Sequence, residues 1–183
     1  MIRVIAGIYK KRKLLSVSGR STRPTTDYNR EMIFGTYQEF EGKIILDLFA
    51  GTGAFGLEAL SRGAVWVDFV EFANAAIRTI LSNIAILGCG DRCHLYRKRV
   101  EAFLKDCGDT YDLIFLDPPY DKNLINPTLR TIFERKLLKP LGLVIVEHSR
   151  SEKISEDLTG YIQKQKEGKS CCFTWLAEDP EAI

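Results

Sequence analysis

The chain has 183 residues, of which 45% are hydrophobic and 27% are charged, and its formal net charge is +2 at pH 7. These proportions are close to those of ordinary globular proteins, and the length suits one domain with a small appendage. No run of 18 or more apolar residues could span a membrane, and the first residues lack the apolar core of a signal peptide. We therefore expect a cytoplasmic protein.

The cysteines and histidines give little support to a metal site. There are five cysteines and two histidines, and no two cysteines form a Cys-x-x-Cys pair. Cys89, Cys93 and His94 are close in sequence, but the chain holds too few further ligands to complete a site. We predict free buried thiols and no metal.

Positive charge is concentrated at the amino-terminal end. Residues 1 to 30 contain eight Lys or Arg and one acid, so this segment carries +7 and the rest of the chain carries −5. Such a segment could grip phosphates or could be a solvated basic tail, and a charge count alone does not decide between them. The candidate phosphate contacts are Arg3, Lys10, Lys11, Arg12, Lys13, Arg23 and Arg30.

The predicted elements change character after about residue 42. Two β-prone stretches, 2 to 8 and 13 to 17, predict a small hairpin with a basic turn, followed by a linker at 18 to 25. A helix is predicted from Thr26 or Asp27 to about Phe40. Strands are then predicted at 43–48, 64–70, 92–96, 111–116, 143–147 and 171–176, with helices at 53–62, 73–87, 100–106 and 124–136. The alternation predicts an α/β, doubly wound, mainly parallel sheet over 26–183, with 1–25 as a hairpin and linker.

A glycine-rich loop follows the first strand of the main domain. It reads Asp47-Leu-Phe-Ala-Gly51-Thr-Gly53-Ala-Phe-Gly56, between a predicted strand and a predicted helix, as nucleotide-binding loops do. Asp47 would repel a pyrophosphate but could attract the cationic methionine end of S-adenosylmethionine. Glu71, at the end of the next strand, suits the hydroxyls of a ribose, and Phe72 could flank an adenine. The loop therefore favours S-adenosylmethionine over a dinucleotide.

A second motif, Asp117-Pro118-Pro119-Tyr120, follows the strand at 111–116 and so lies at the same edge of a parallel sheet. The Asp117 carboxylate and the Pro118 carbonyl can accept both hydrogens of an exocyclic amine and aim its lone pair at a methyl donor. Tyr120 offers an aromatic face to a base taken out of its stack. Alone the motif could be an ordinary turn, but beside the glycine loop it predicts methylation of a base amine.

At these positions the chain resembles the RsmD family of ribosomal-RNA guanine-N2 methyltransferases. The resemblance rests, in the family's order, on Arg3 to Leu14, Thr22-Arg-Pro-Thr-Thr-Asp27, Leu46 to Gly53, Gly56 to Ala64, Phe69-Val-Glu71 and Leu116 to Tyr120. It implies a class I S-adenosylmethionine-dependent methyltransferase fold with an RNA-binding amino-terminal hairpin. The implied activity is methylation of the N2 amine of a guanine in bacterial small-subunit (16S) rRNA.

The resemblance also implies residue roles. Cofactor contacts are expected from Asp47, Phe49, Ala50, Gly51, Thr52, Gly53, Glu71, Phe72 and the backbone of Val100. Asp117, Pro118 and Tyr120 are expected to act on the guanine amine, and the basic amino-terminal residues to contact RNA. The implied partner is 16S rRNA or the assembling small subunit, with no membrane and no obligate protein partner, and we expect a monomer.

Three departures from the family pattern and two other functions stay open. Tyr28-Asn29 replaces Arg-Val, Arg99 stands where an acid or amide usually meets the adenine, and Glu167 replaces a tyrosine. DNA adenine-N6 and cytosine-N4 methyltransferases share the Asp-Pro-Pro-Tyr geometry, although no separate target-recognition domain is visible in this sequence. A non-catalytic RNA-binding assembly factor could keep the same fold.

Overall fold

The computed structural model describes residues 2–17 and 27–182, so the predicted linker, its Arg23 and the capping position Thr26 lie outside the described residues. Two short strands, β1 (Ile2–Arg3) and β2 (Lys13–Leu14), precede helix α1 (Asp27–Thr36). The elements that follow are β3 (Ile44–Leu48), α2 (Ala54–Ser61), β4 (Trp66–Val70), α3 (Asn74–Leu87), β5 (Cys93–Tyr96), α4 (Val100–Asp106), β6 (Tyr111–Leu116), α5 (Ile125–Glu134), β7 (Leu138–His148), β8 (Ile162–Glu167) and β9 (Cys172–Leu176).

The larger sheet has seven strands in the order β5-β4-β3-β6-β7-β9-β8. The first five of these strands are parallel, and β9 pairs antiparallel with both β7 and β8. The strand order reverses direction beside β3, and ligands of doubly wound sheets bind at the carboxyl ends of the strands at such a point. The α/β fold with a mainly parallel sheet is confirmed.

Apolar side chains cover both faces of this sheet. Ile45 and Phe115 belong to a core on one face, where the rings of Phe55 and Phe115 stack with their centroids 3.8 Å apart. Leu46 and Ile114 belong to a second core on the other face, under α4 and α5. Burial on both faces explains why the central strands read as continuous apolar runs in the sequence.

Four element predictions differ from the structure. The hairpin pairs only two residues on each strand. Helix α1 ends at Thr36 rather than near Phe40, and Phe40 is buried although it lies in the loop that follows the helix. Strand β7 begins at Leu138, five residues earlier than predicted. Strand β8 was missed, because its sequence Ile-Gln-Lys-Gln-Lys-Glu is polar, as is usual for an edge strand that must avoid further pairing.

The hairpin packs against α2 through a buried carboxylate. Glu58 is 0% exposed, and its two oxygens accept the backbone N–H groups of Ile5 at 2.7 Å and Ala6 at 2.9 Å. Arg62, at the C-cap of α2, donates to the same carboxylate at 2.8 Å. Gly7 has φ of +79°, and a Cβ there would overlap the carbonyl of Ser61, so only glycine permits this close approach.

A second contact joins the hairpin to α3 and to the glycine loop. The buried amide of Asn83 accepts the N–H of Leu15 at 2.7 Å and donates to the Leu15 carbonyl at 3.2 Å. The same amide nitrogen donates to the carbonyl of Thr52 at 2.9 Å. The described part of the amino-terminal segment is therefore fixed to the main sheet layer, and the predicted division of the chain at residue 25 stays a prediction.

The state of the cysteines and the length of the helices bear on two predictions made from the sequence. The five cysteines are free, four of them buried and Cys172 half-buried. Within residues 2–17 and 27–182, no helix is long and apolar enough to cross a membrane.

Candidate active site

The loops after β3 and β4 meet at the carboxyl edge of the sheet. The N–H of Ala50 donates to the carbonyl of Val70 at 3.1 Å, and the N–H of Gly51 donates to the Glu71 carboxylate at 3.0 Å. The second oxygen of Glu71 accepts the N–H groups of Phe72 and Ala73, each at 2.8 Å. Glu71 is 8% exposed, and its hydrogen bonds hold the two loops together.

The glycine loop contains three left-handed residues in close succession. Phe49, Gly51 and Gly53 have φ of +58°, +56° and +75°. A left-handed phenylalanine costs about 1–2 kcal/mol, and here its ring packs on the core beneath α4 and α5, which stabilises the conformation. Gly56 has another role, because a Cβ there would overlap the ring of Phe69 and push α2 away from β4.

Asp47 lies beneath this loop rather than on its surface. The carboxylate is 1% exposed, and it accepts the N–H of Gly56 at 3.0 Å. Burial raises the pKa of Asp47 to about 8, the Gly56 hydrogen bond opposes this shift, and the charge of Glu71 adds to it. Asp47 therefore shapes the loop through its bond to Gly56, and a cation bound nearby would favour its ionised form.

The predicted adenine end of the site carries an exposed ring and a cation. Phe72 is 47% exposed, and the guanidinium carbon of Arg99 lies 4.6 Å from the centre of its ring. Val100, at the start of α4, is 3% exposed, which leaves its backbone rather than its side chain to meet a ligand. The position that departs from the family pattern, Arg99, thus lies directly on the ring predicted to flank the adenine.

The Asp-Pro-Pro-Tyr motif begins where β6 ends, two positions along the sheet from β4. Asp117 and Tyr120 are half-buried, Pro118 is buried and Pro119 is exposed. The hydroxyl of Tyr120 donates to the carboxylate of Glu147, in β7, at 3.0 Å. Burial, followed by the charges of Glu147 and Asp117, raises the pKa of Tyr120 far above its ordinary value, so the hydroxyl stays protonated.

Glu147 is a residue of this site that the sequence patterns did not predict. It is 3% exposed near the carboxyl end of β7, where it follows the apolar run from Leu143 to Val146. A lone acid after a buried apolar run, in a strand next to the one that ends at the Asp-Pro-Pro-Tyr motif, was the available signal.

The predicted RNA contacts separate into three groups. Lys10, Lys11 and Lys13 are exposed on the hairpin, whereas Arg12, also exposed, donates to the backbone carbonyl of Ile86. Arg3 is exposed, and its backbone carbonyl accepts a hydrogen bond from the Arg30 guanidinium at 2.9 Å. Arg30 itself is 2% exposed, so its prediction as an RNA contact is wrong: the guanidinium ties α1 to β1.

The basic turn packs against the carboxyl-terminal ends of α2 and α3. The backbone N–H of Ile8 donates to the carbonyl of Ser61, and Arg12 donates to the carbonyl of Ile86. Because the glycine loop precedes the amino-terminal end of α2, Ile8 lies at the opposite end of this helix from the loop.

The fold and this edge of the sheet define a class I methyltransferase. The family model described as Conserved hypothetical protein 95 matches residues 2–176. The chain is 39% identical over 172 residues to YlbH of Bacillus subtilis (strain 168), across 91% of this chain and 92% of that protein. It is 31% identical over 177 residues to Ribosomal RNA small subunit methyltransferase D of Buchnera aphidicola subsp. Baizongia pistaciae (strain Bp), across 94% and 90%.

A solved structure agrees with these sequence relationships. The structure of yhhF from Escherichia coli superposes with a TM-score of 0.82 at 28% identity, and the match covers 95% of this chain and 96% of that chain. The chain belongs to the RsmD family.

Proposed function

We propose that this protein transfers a methyl group from S-adenosylmethionine to the exocyclic N2 amine of a guanine in bacterial small-subunit ribosomal RNA. The observation that carries the proposal is the convergence, at one edge of the sheet, of the glycine loop with Glu71 and of the Asp117–Tyr120 motif. Family membership supplies the substrate class, since a relative of nearly the same length is named Ribosomal RNA small subunit methyltransferase D.

The residues present fit S-adenosylmethionine. Its methionine end is cationic, and two acids border the loop: Glu71, and Asp47, whose ionised form a bound cation would favour. The backbone from Phe49 to Gly53, the Glu71 carboxylate, the Phe72 ring and the Val100 backbone would hold the cofactor. When bound, it supplies an electrophilic methyl group on a positively charged sulfur.

Asp117 and Pro118 prepare the amine to attack. The lone pair of an exocyclic amine is delocalised into the ring, so the nitrogen must become tetrahedral as the new nitrogen–carbon bond forms. The Asp117 carboxylate accepts one N–H and the Pro118 carbonyl accepts the other, which directs the lone pair at the methyl carbon. The carbon–sulfur bond breaks, and the nitrogen releases a proton that Asp117 is placed to accept. The Tyr120 ring supports the base by stacking.

The exposed lysines of the hairpin favour a polyanionic substrate. Lys10, Lys11 and Lys13 lie on a turn that packs against the ends of α2 and α3, outside the Asp-Pro-Pro-Tyr motif, and a folded RNA could contact both. A chain that recognises RNA by its shape needs no separate domain to read a DNA sequence. A cytoplasmic location and a monomeric state stay predictions.

Substitution of Asp117 tests the proposal most directly. Asp117→Ala should lower the single-turnover methylation rate by about 10² to 10³, the loss expected when one preorganised transition-state contact is removed. Asp117→Asn keeps an acceptor but loses the charge, so its rate should lie between those of the wild type and Asp117→Ala. Affinity for cofactor and RNA should change little in both variants.

The substrate arms of the same experiment separate the alternatives. Methylation is measured with labelled cofactor on 16S rRNA, on assembling small subunits and on duplex DNA, and the modified nucleotide is mapped. Transfer to DNA in preference to RNA would favour a DNA amino-methyltransferase. Absence of transfer to every substrate by the wild type would favour a non-catalytic assembly factor.

A further inference from the structure

A buried polar cluster lies behind the ring of Tyr120. Glu147 of β7 accepts the Tyr120 hydroxyl at 3.0 Å and is 3% exposed. Cys171, which is 0% exposed, lies beside this pair, and its sulfur accepts the amide N–H of Asn29 at 3.0 Å. Burial, and then the charge of Glu147, raises the pKa of Cys171 to about 12, so the thiol keeps its proton.

The cluster fixes the far end of the ring. A tyrosine held only at its Cα can rotate about two side-chain bonds, and a hydroxyl anchored in a buried site removes most of that freedom. Hydrogen bonds to a carboxylate are about twice as strong as those between neutral groups, particularly where water is excluded. The remaining exposed part of the ring then presents a fixed face beside Asp117, whose charge also acts on the Tyr120 hydroxyl.

We infer that Glu147 is a positioning residue for methyl transfer, which clamps the Tyr120 hydroxyl so that the ring presents one fixed stacking face to the target base beside Asp117. The inference rests on the proposed function, because it assigns Glu147 a role in the same reaction. Glu147 does not touch the base. It acts through Tyr120, and the buried Cys171, which precedes β9 and bonds to Asn29 of α1, lies beside it.

A double-mutant cycle with Tyr120→Phe tests this dependence. Glu147→Ala should lower the single-turnover methylation rate by about 10- to 100-fold, the scale of loss caused by misplacing a reacting group. Glu147→Gln, which keeps an oxygen acceptor for the hydroxyl, should recover the rate to within about threefold of the wild type. In the Tyr120→Phe background, where no hydroxyl remains to be held, Glu147→Ala should cause less than about a twofold further loss. Affinity for S-adenosylmethionine should be unchanged throughout.

A control and an activity-independent measurement accompany the cycle. Thr174→Val removes a different buried polar group of the same sheet, one that bonds to His148 at 2.9 Å, and should leave the rate near that of the wild type. In protein labelled with 3-fluorotyrosine, the ¹⁹F resonance assigned by its loss in Tyr120→Phe should be narrow in the wild type and in Glu147→Gln. It should broaden or split in Glu147→Ala.

The outcomes distinguish the clamp from the proposed function. Equal rate losses from Glu147→Ala in both backgrounds, or an unchanged Tyr120 resonance in that variant, would overturn the inference. A wild type that methylates no RNA would refute the proposed function and the reaction role of Glu147, while the resonance would still report whether Glu147 orders the ring.

Discussion

Two buried carboxylates bond to backbone N–H groups at α2, and their surroundings are opposite. Glu58, within α2, is 0% exposed, accepts two backbone N–H groups from the hairpin and pairs with Arg62 at 2.8 Å. Asp47, in β3, is 1% exposed, accepts one N–H from Gly56 of α2 and faces the negative charge of Glu71. One charge is compensated by its partners, and the other is not.

The difference separates a carboxylate that bonds to an opposite charge from one whose neighbouring charge is negative. Burial of an ionised carboxylate is unfavourable unless hydrogen bonds and an opposite charge replace the lost water. Glu58 has these partners and fastens the hairpin to the sheet layer. Asp47 has only one of them, and its pKa is raised to about 8. An uncompensated acid beneath a ligand loop lowers stability, and it is explained if a cationic ligand supplies the missing charge.

Replacement of Glu58 should give the largest effect on stability. Glu58→Ala leaves Arg62 and the N–H groups of Ile5 and Ala6 without their buried acceptor. Loss of one partner of a buried pair costs about 3–5 kcal/mol, so the free energy of unfolding, measured with urea, should fall by that amount. The hairpin should also become sensitive to limited proteolysis. The exposed Glu101→Ala serves as the control, and a loss below about 1 kcal/mol for Glu58→Ala would mean that the hairpin is held by other contacts.

Replacement of Asp47 should raise stability at alkaline pH, whereas replacement of Glu58 lowers it. The pKa of Asp47 lies near 3.8 when unfolded and near 8 when folded, so the folded protein binds the extra proton between these values. Wild-type stability should therefore decrease as pH rises from about 4 to 8, by up to about 1.4 kcal/mol per pH unit. Asp47→Asn keeps an acceptor for Gly56 but cannot ionise. Its melting temperature should exceed that of the wild type at pH 8, and the difference should shrink toward pH 5. A constant difference across this range would contradict the shift.

Local motifs revealed some of these buried acids and not others. Asp47, Glu71 and the Asp117–Tyr120 motif could be proposed as site residues from sequence, because each belongs to a local motif at the end of a predicted strand. Glu58, Glu147 and Asn83 act on residues 53, 27 and 68 positions away, and no local pattern encodes such pairings.

Charge alone was misleading at Arg30. The sequence groups this residue with the exposed cations of the amino-terminal segment, but it lies on the buried side of α1. The edge strand β8 was also missed, because its polar sequence shows no strand pattern and it forms by pairing with β9 in the folded protein.

Cofactor binding should move a proton through Asp47. At pH 7.5 an acid with a pKa of about 8 is mostly protonated, and a cation bound nearby favours its ionised form. Binding of S-adenosylmethionine should therefore release up to about one proton more from the wild type than from Asp47→Asn. Calorimetry in two buffers of different ionisation enthalpy measures this number. Equal proton release from the two proteins would show that Asp47 does not respond to the cofactor.

The exposed lysines of the hairpin should show the smallest effect, and it should appear only in RNA binding. Lys10, Lys11 and Lys13 are exposed, whereas Arg12 is left unchanged because it bonds to Ile86. Substitution of the three lysines by Gln should alter the free energy of unfolding by less than about 0.5 kcal/mol and leave cofactor affinity unchanged. RNA affinity should fall, and the slope of log K against log salt should flatten by about 0.7–0.9 for each phosphate that the variant no longer neutralises. The matched control replaces Lys105, Lys136 and Lys153, exposed cations outside the hairpin, and should keep the wild-type slope. If both triple variants keep that slope, the hairpin lysines are a solvated surface, and Glu58 fastens a hairpin whose purpose is stability rather than RNA binding.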